Sequence, residues 1–372
     1  MRNVIVATKG TRDWQGIPAI ECAANGRLWC AFFSGGPKEP DPDNHILLTT
    51  SEDAGASWSA PESVIAPPGA TRAYDPALWH DPGGRLWLLY NLANLETHDF
   101  SLWAVTADDS RATDPRWGQP FRLGVEAPFA FRLNKPTVLS TGEWLLPVTW
   151  ARSTPQGWFA GAEQLQGVAI SEDEGASWAL HGAVEAPNWA LENMVLERRD
   201  GAVWMLIRTG AGVLWQSVSI DGGRSWSAGS PTDIVNPGAR FFTRRLASGR
   251  LLLINTPDPS QRKRLCAYLS DPHDDGAFVS GLELDARDKV SYPDAVQAAE
   301  HRALVGGVVR LVQCEHELAV EGAEDHPVAA VDRPDRLVLL HPRPEHGSRH
   351  RSGDAHRVAA VAEARPQHHE RP

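Results

Sequence analysis

The chain has 372 residues, 42% hydrophobic and 22% charged, with a formal net charge of −11. This balance describes a globular protein with enough apolar mass for a core, and a negative charge without a basic stripe excludes nucleic acid as the main partner. No segment has the length and apolarity of a membrane span, and Met1–Thr8 does not read as a signal peptide, so no membrane partner and a cytoplasmic location are expected.

The predicted elements repeat along the chain. A glycine turn leading into an apolar strand occurs at Gly26-Arg-Leu-Trp29, Gly84-Arg-Leu-Trp87, Gly142-Glu-Trp144, Gly201-Ala-Val-Trp204 and Gly249-Arg-Leu-Leu252. Copies lie about fifty to sixty residues apart, the length of a four-stranded unit with its loops. Between them a second motif, S-x-D-x-G-x-S-W, is complete at Ser51–Trp58, Ser171–Trp178 and Ser219–Trp226, with weaker copies at Asp108–Trp117 and Ser270–Phe278. Its Asp folds back onto backbone N–H groups, its Gly supplies a positive φ, and its Trp anchors the turn by burial. These residues are structural, and no catalysis is assigned to them. No stretch keeps a helical period over several turns. The pattern therefore predicts an all-β, six-bladed β-propeller.

The sixth strand motif is due just after Gln297, where the composition changes. Residues 293–372 contain no Phe, Tyr or Trp, and most of the 14 histidines fall there. Such a Pro-, Arg- and His-rich segment buries too little apolar surface to order itself. The expected organisation is a propeller over residues 1–298 with an incomplete or aberrant last blade. Residues 299–372 form a poorly ordered tail, and a shift of reading frame near Glu300 would account for the switch. The four cysteines (Cys22, Cys30, Cys266 and Cys314) have no metal-ligand spacing, so reduced thiols and no cofactor are expected.

Asp-centred turns in a six-fold repeat resemble the sialidase (neuraminidase) superfamily, in particular its bacterial Asp-box, or BNR-repeat, members. The resemblance covers roughly residues 10 to 298 and implies an exo-glycosidase removing a terminal, acidic sugar from a glycan. It implies a tyrosine nucleophile with a glutamate base, and Val290-Ser-Tyr292-Pro-Asp294 and Leu191-Glu192-Asn193 match those segments, giving Tyr292 and Glu192. Arginines that clamp a carboxylate are implied at Arg208 and at Arg262, with Arg264 as the alternative register. The family's first arginine precedes Ile-Pro, where this chain has Gly16-Ile17-Pro18. The acid/base position falls by counting on His45, with Asp43 and Asp41 within loop slack. Asp75, Asn134, Lys135, Arg240 and Arg244 stand at strand entrances as candidate pocket residues. Because Gly16 leaves the clamp incomplete, a non-catalytic carbohydrate-binding propeller and a polysaccharide lyase stay open as alternatives.

Overall fold

The computed structural model describes residues 2–7, 11–154, 163–288, 290–298, 302–307, 310–313 and 336–339. Every regular element among them is a strand, and the strands form sheets arranged as the blades of a propeller, antiparallel throughout except where Arg336–Leu339 pairs in parallel with Arg302–Gly307. Blade 1 runs from its inner to its outer strand through Gln15–Cys22, Leu28–Ser34, His45–Ser51 and Glu62–Ile65. Blades 2, 4 and 5 repeat this order from inner strands Thr71–His80, Ala190–Glu197 and Phe242–Arg245. In blade 3 the inner strand is split into Phe129–Phe131 and Thr137–Val138, both paired with Trp144–Ala151.

The sixth sheet differs. Asp294–Ala298 pairs with Arg302–Gly307, then Arg310–Gln313, and the N-terminal strand Arg2–Val4 closes the order. The expected count of six is therefore corrected to five complete blades and one sheet of other make-up. No Gly-turn motif leads into its second strand, no Asp-centred turn follows, and chain beginning and end share the sheet. Most of the tail, including Cys314, lies outside the described residues. Among the described residues no helix is long and apolar enough to cross a membrane.

The two repeated motifs have the predicted mechanics. All five glycine turns carry a positive φ at Gly26, Gly84, Gly142, Gly201 and Gly249 and feed the second strand of a blade. Each complete Asp-centred turn joins the third strand to the fourth. In the second copy, Ser177 donates from its backbone N–H (2.8 Å) and its hydroxyl (2.5 Å) to the Asp173 carboxylate, and Gly175 N–H donates to Ser171 Oγ at 2.8 Å. Ser219–Trp226 repeats these bonds. At Gly175 a Cβ would also stand 2.6 Å from the Trp87 ring of the neighbouring blade, so the glycine is required twice, for its φ of 85° and for blade contact. Aromatic packing between blades continues from there through Trp79, Trp87, Trp144 and Trp178.

Candidate active site at the channel mouth

The inner strands of blades 1, 2 and 4 share a distortion near their N-terminal ends. Register shifts lie between Gly16 and Ala19, between Tyr74 and Ala77, and between Leu191 and Met194. Inside these bulges Ile17, Asp75 and Glu192 adopt positive φ (55°, 50° and 55°), and Tyr292 does the same (61°) two residues before Asp294–Ala298. A left-handed non-glycine residue costs about 1–3 kcal/mol, and three of the four precede proline, which disfavours such a conformation further. Bulges re-aim side chains. Here they turn residues from separate blades to one end of the channel.

Arg208 is the hub of that end. Its register partner is Leu191, so it stands beside Glu192, to which it donates a short charge-assisted hydrogen bond. The same Nη1 lies 3.4 Å from the Tyr292 hydroxyl, and Nε donates to the Gly238 carbonyl at 2.8 Å. Arg262 donates to that same carbonyl at 3.0 Å, with its guanidinium carbon 5.7 Å from the Tyr292 ring centroid. Burial raises the Tyr292 pKa, with Arg208 and Arg262 opposing and Glu192 and Glu39 adding to the rise. Burial also works against the Arg208 charge, but Glu192 and Tyr292 outweigh it and its pKa is raised. Around Glu192 the strained backbone is fully held: its N–H donates to Thr149 Oγ1 at 3.2 Å and its carbonyl accepts from Asn134 Nδ2 at 3.0 Å.

A second group adjoins the first. Asp75 is buried, its Oδ1 makes no hydrogen bond to described protein atoms, and burial followed by the nearby Glu39 raises its pKa well above the usual carboxylate range. Arg132 donates to the Asp75 carbonyl, and burial lowers its own pKa to about 9. Arg72 stacks on Tyr74 (3.7 Å to the centroid), donates to Asn44 Oδ1 at 3.2 Å and reaches Glu39 at 3.5 Å. Beside Gly16, where the superfamily carries its first arginine, a Cβ would meet the Trp14 indole at 3.1 Å, and that indole packs on Phe33.

The sequence-derived candidates thus separate. Tyr292, Glu192, Arg208, Arg262 and Asp75 come together, with Arg240 linked to them through Asn134 (2.9 Å). Arg264 is exposed and bonded to Glu283, which leaves Arg262 as the register that reaches the cluster. Asp43 lies in the loop before the third strand of blade 1 and His45 opens that strand, its ring against the Asp43 carbonyl at 2.9 Å. From that loop Glu39 is the carboxylate whose charge acts on Tyr292 and Asp75. Lys135 and Arg244 lie deeper: Lys135 is buried 3.0 Å from Asp294 and 3.7 Å from Glu21, and Arg244 is 3.7 Å from Glu21. Burial opposes the Glu21 charge, yet Lys135, His80 and Arg244 together lower its pKa to about 2. A cavity of about 590 Å³ opens at that other end, lined by His80, Lys135, Arg198, Phe242 and Arg244 among others, and it contains none of the Tyr292 cluster. None of the left-handed residues Ile17, Asp75, Glu192 and Tyr292 lines this cavity. Glu39, Arg72 and Arg132 escaped the sequence reading. The repeated Ile17-Pro18-Ala19 and Asp75-Pro76-Ala77 was the available signal. Among the described residues no group of three or more His, Cys, Asp or Glu side chains stands together to hold a metal.

An all-β propeller with buried arginines, carboxylates and a tyrosine at one channel mouth is sialidase-like in class. Residues 26–307 match the model of the BNR repeat-like domain, and the chain belongs to that family. In fold it is similar to a Dyadobacter fermentans protein of unknown function, with a TM-score of 0.68, 18% identity and coverage of 82% of this chain and 93% of that one. It is similar also to the Hadza microbial sialidase Hz136, with a TM-score of 0.64, 17% identity and coverage of 80% and 63%. The intramolecular trans-sialidase of Ruminococcus gnavus gives 0.64 and 14%, with coverage of 82% and 92%. Identities this low establish the fold alone. A comparison with curated proteins gave no match.

Proposed function

We propose that the chain is an exo-acting glycoside hydrolase of the sialidase-like type, taking a terminal sugar with an anionic group from a glycan. The observation that carries this reading is Arg208, which touches Glu192 and Tyr292 at once inside a buried pocket. A tyrosine hydroxyl is a poor nucleophile near neutrality and needs a base within hydrogen-bond reach. Glu192 takes the phenolic proton as Tyr292 Oη attacks the anomeric carbon. The bond to the leaving oxygen breaks, and that oxygen takes a proton from the carboxylic acid of the Glu39 loop. Water then attacks the anomeric carbon, giving its proton to the carboxylate of the Glu39 loop, while the bond to Tyr292 Oη breaks and Glu192 returns the proton to that oxygen. We assign the acid/base role to Glu39 in preference to Asp43 or His45, because Glu39 lies 3.5 Å from Arg72, which stacks on Tyr74 beside Asp75, whereas the His45 ring is turned onto the Asp43 carbonyl. Arg208 and Arg262 hold the anionic group, and Asp75 donates a hydrogen bond to a sugar hydroxyl while it keeps its proton.

The Trp14 indole beside Gly16 favours a second reading, a glycan-binding propeller without turnover, because the third arm of the clamp is absent. A panel of 4-methylumbelliferyl glycosides carrying sialic acid, hexuronic acids and neutral sugars separates the two. Release of fluorophore from an anionic sugar by the wild-type chain, lost in Tyr292→Phe, supports hydrolysis. Turnover that survives Tyr292→Phe would sink the assignment.

A further inference from the structure

Among the described tryptophans, Trp189 alone is more than a third exposed (38%). It precedes the inner strand of blade 4, three residues before Glu192, and its ring lies 5.0 Å from the Arg208 guanidinium carbon. Arg208 is in turn 5.7 Å from the Tyr292 ring, so one guanidinium separates the indole from the proposed nucleophile. The indole is seated deliberately. A Cβ at Gly210 would stand 2.7 Å from its Nε1, and one at Gly238 would stand 2.8 Å from its Cζ2. Gly238 has a φ of 67° and needs to be glycine for that reason too, but Gly210 does not have a positive φ. The missing side chain at Gly210 answers only to the space the indole takes. Gly238 also fixes the platform to the clamp, since its carbonyl accepts from both Arg208 and Arg262. The Gly210 N–H donates to the Trp189 carbonyl at 3.1 Å, which holds the residue's backbone as well.

A large apolar face held at the edge of a charged pocket, against side chains that would be solvated without it, has a narrow use. It offers a flat surface to a ligand that is polar at its rim and apolar on its ring faces, which describes a pyranose. Building on the glycan-cleaving reading above, we infer that Trp189 is a stacking platform for the second sugar, on the leaving-group side of the scissile bond. The terminal sugar occupies the Arg208, Arg262 and Tyr292 pocket, and the next ring lies on the indole. The true ligands are therefore oligosaccharides, and a lone terminal sugar uses only part of the site.

The test uses the full chain in a Tyr292→Phe background, so that bound glycans are not turned over, on a printed array of defined monosaccharides and oligosaccharides. Trp189→Ala is expected to weaken oligosaccharide binding about tenfold or more while leaving monosaccharide binding within twofold, and Trp189→Phe is expected to keep most of it. Oligosaccharide binding unchanged within twofold in Trp189→Ala, or a parent chain that holds monosaccharides as tightly as oligosaccharides, overturns the platform. A parent chain that binds no glycan at all overturns both the platform and the glycosidase reading. Trp189-dependent binding together with no sugar release by the wild-type chain supports the platform and removes only the hydrolytic step.

Discussion

The Asp-centred turns and the channel mouth both contain left-handed backbone, and the two use it differently. At the Asp-centred turns it falls on Ala54-Gly55, Glu174-Gly175 and Gly222-Gly223, mostly at the surface, where Ser and backbone donors satisfy the aspartate. At the channel mouth it falls on Ile17, Asp75, Glu192 and Tyr292, none a glycine, among side chains with polar atoms that have no hydrogen-bond partner among the described residues, such as Asp75 Oδ1, Arg132 Nε and Arg240 Nη1. Each turn has a glycine in its left-handed pair and satisfies its aspartate with Ser and backbone donors. The mouth keeps both strain and open hydrogen-bonding capacity, which is the condition of a surface built to meet a ligand. Stability should therefore respond to changes in the turns, and activity to changes in the mouth.

The sharpest break of that contrast is Tyr292→Phe. It removes one hydroxyl from the mouth and no packing, so activity is expected to fall at least about 10³-fold, with Tm within about 2 °C of wild type. Fluorogenic turnover and a thermal melt on one preparation read both. A Tm loss of more than about 5 °C would mean that the mouth is structural.

Arg208→Met comes next, because it crosses the two categories. It leaves Glu192 buried without its partner, which costs about 3–5 kcal/mol in denaturant unfolding. Adding Glu192→Gln removes the uncompensated charge, so the double variant should recover a good part of that loss and stay inactive. A double variant no more stable than Arg208→Met would show that the pair holds the fold by packing and not by charge.

Among the turns, Gly175→Ala is expected to lose about 2–3 kcal/mol, since it strains a φ of 85° and drives a methyl into the Trp87 ring. Turnover per folded molecule should not change. A fall in turnover at unchanged stability would erase the distinction between the regions.

How much of this was legible beforehand follows the same division. The turns repeat with their side-chain chemistry written out, so the propeller, its strand order and the structural role of Asp173 or Gly175 are readable from spacing alone. Tyr292, Glu192, Arg208 and Arg262 became candidates only through a family resemblance, since nothing local in Leu191-Glu192-Asn193 says that the backbone turns over there. Loop residues were harder. Counting back from the first Asp-centred turn lands on His45, whereas the role proposed above falls to Glu39, six residues earlier, which reaches Arg72 at 3.5 Å. Lys135 and Arg244 lie against Glu21 and not in the Tyr292 cluster, and polarity alone carries no depth along the channel. Trp189 gave no signal, because one tryptophan among 15 is unremarked until its neighbours prove to be glycines. The sixth sheet was foreseen as irregular, but not its closure by Arg2–Val4, a pairing between residues some three hundred positions apart.

The mildest test concerns the proton on Asp75. Burial and Glu39 raise its pKa in the folded chain above the usual 3.8, so between that value and the raised one the native state binds a proton that the unfolded chain has released. The contribution is fully present below about pH 4 and is lost as pH rises through the folded pKa. Asp75→Asn keeps the size and the donor without the titration. Relative to wild type, the variant should gain stability as pH rises from about 4 to 8, with little difference at pH 4. Unfolding by urea at a series of pH values measures the gap. A gap that shrinks with rising pH would mean that Asp75 is ionised and held by Arg72 and Arg132, a closed pair like those of the turns. A gap that widens keeps Asp75 as an unspent donor at the mouth, available to a sugar hydroxyl.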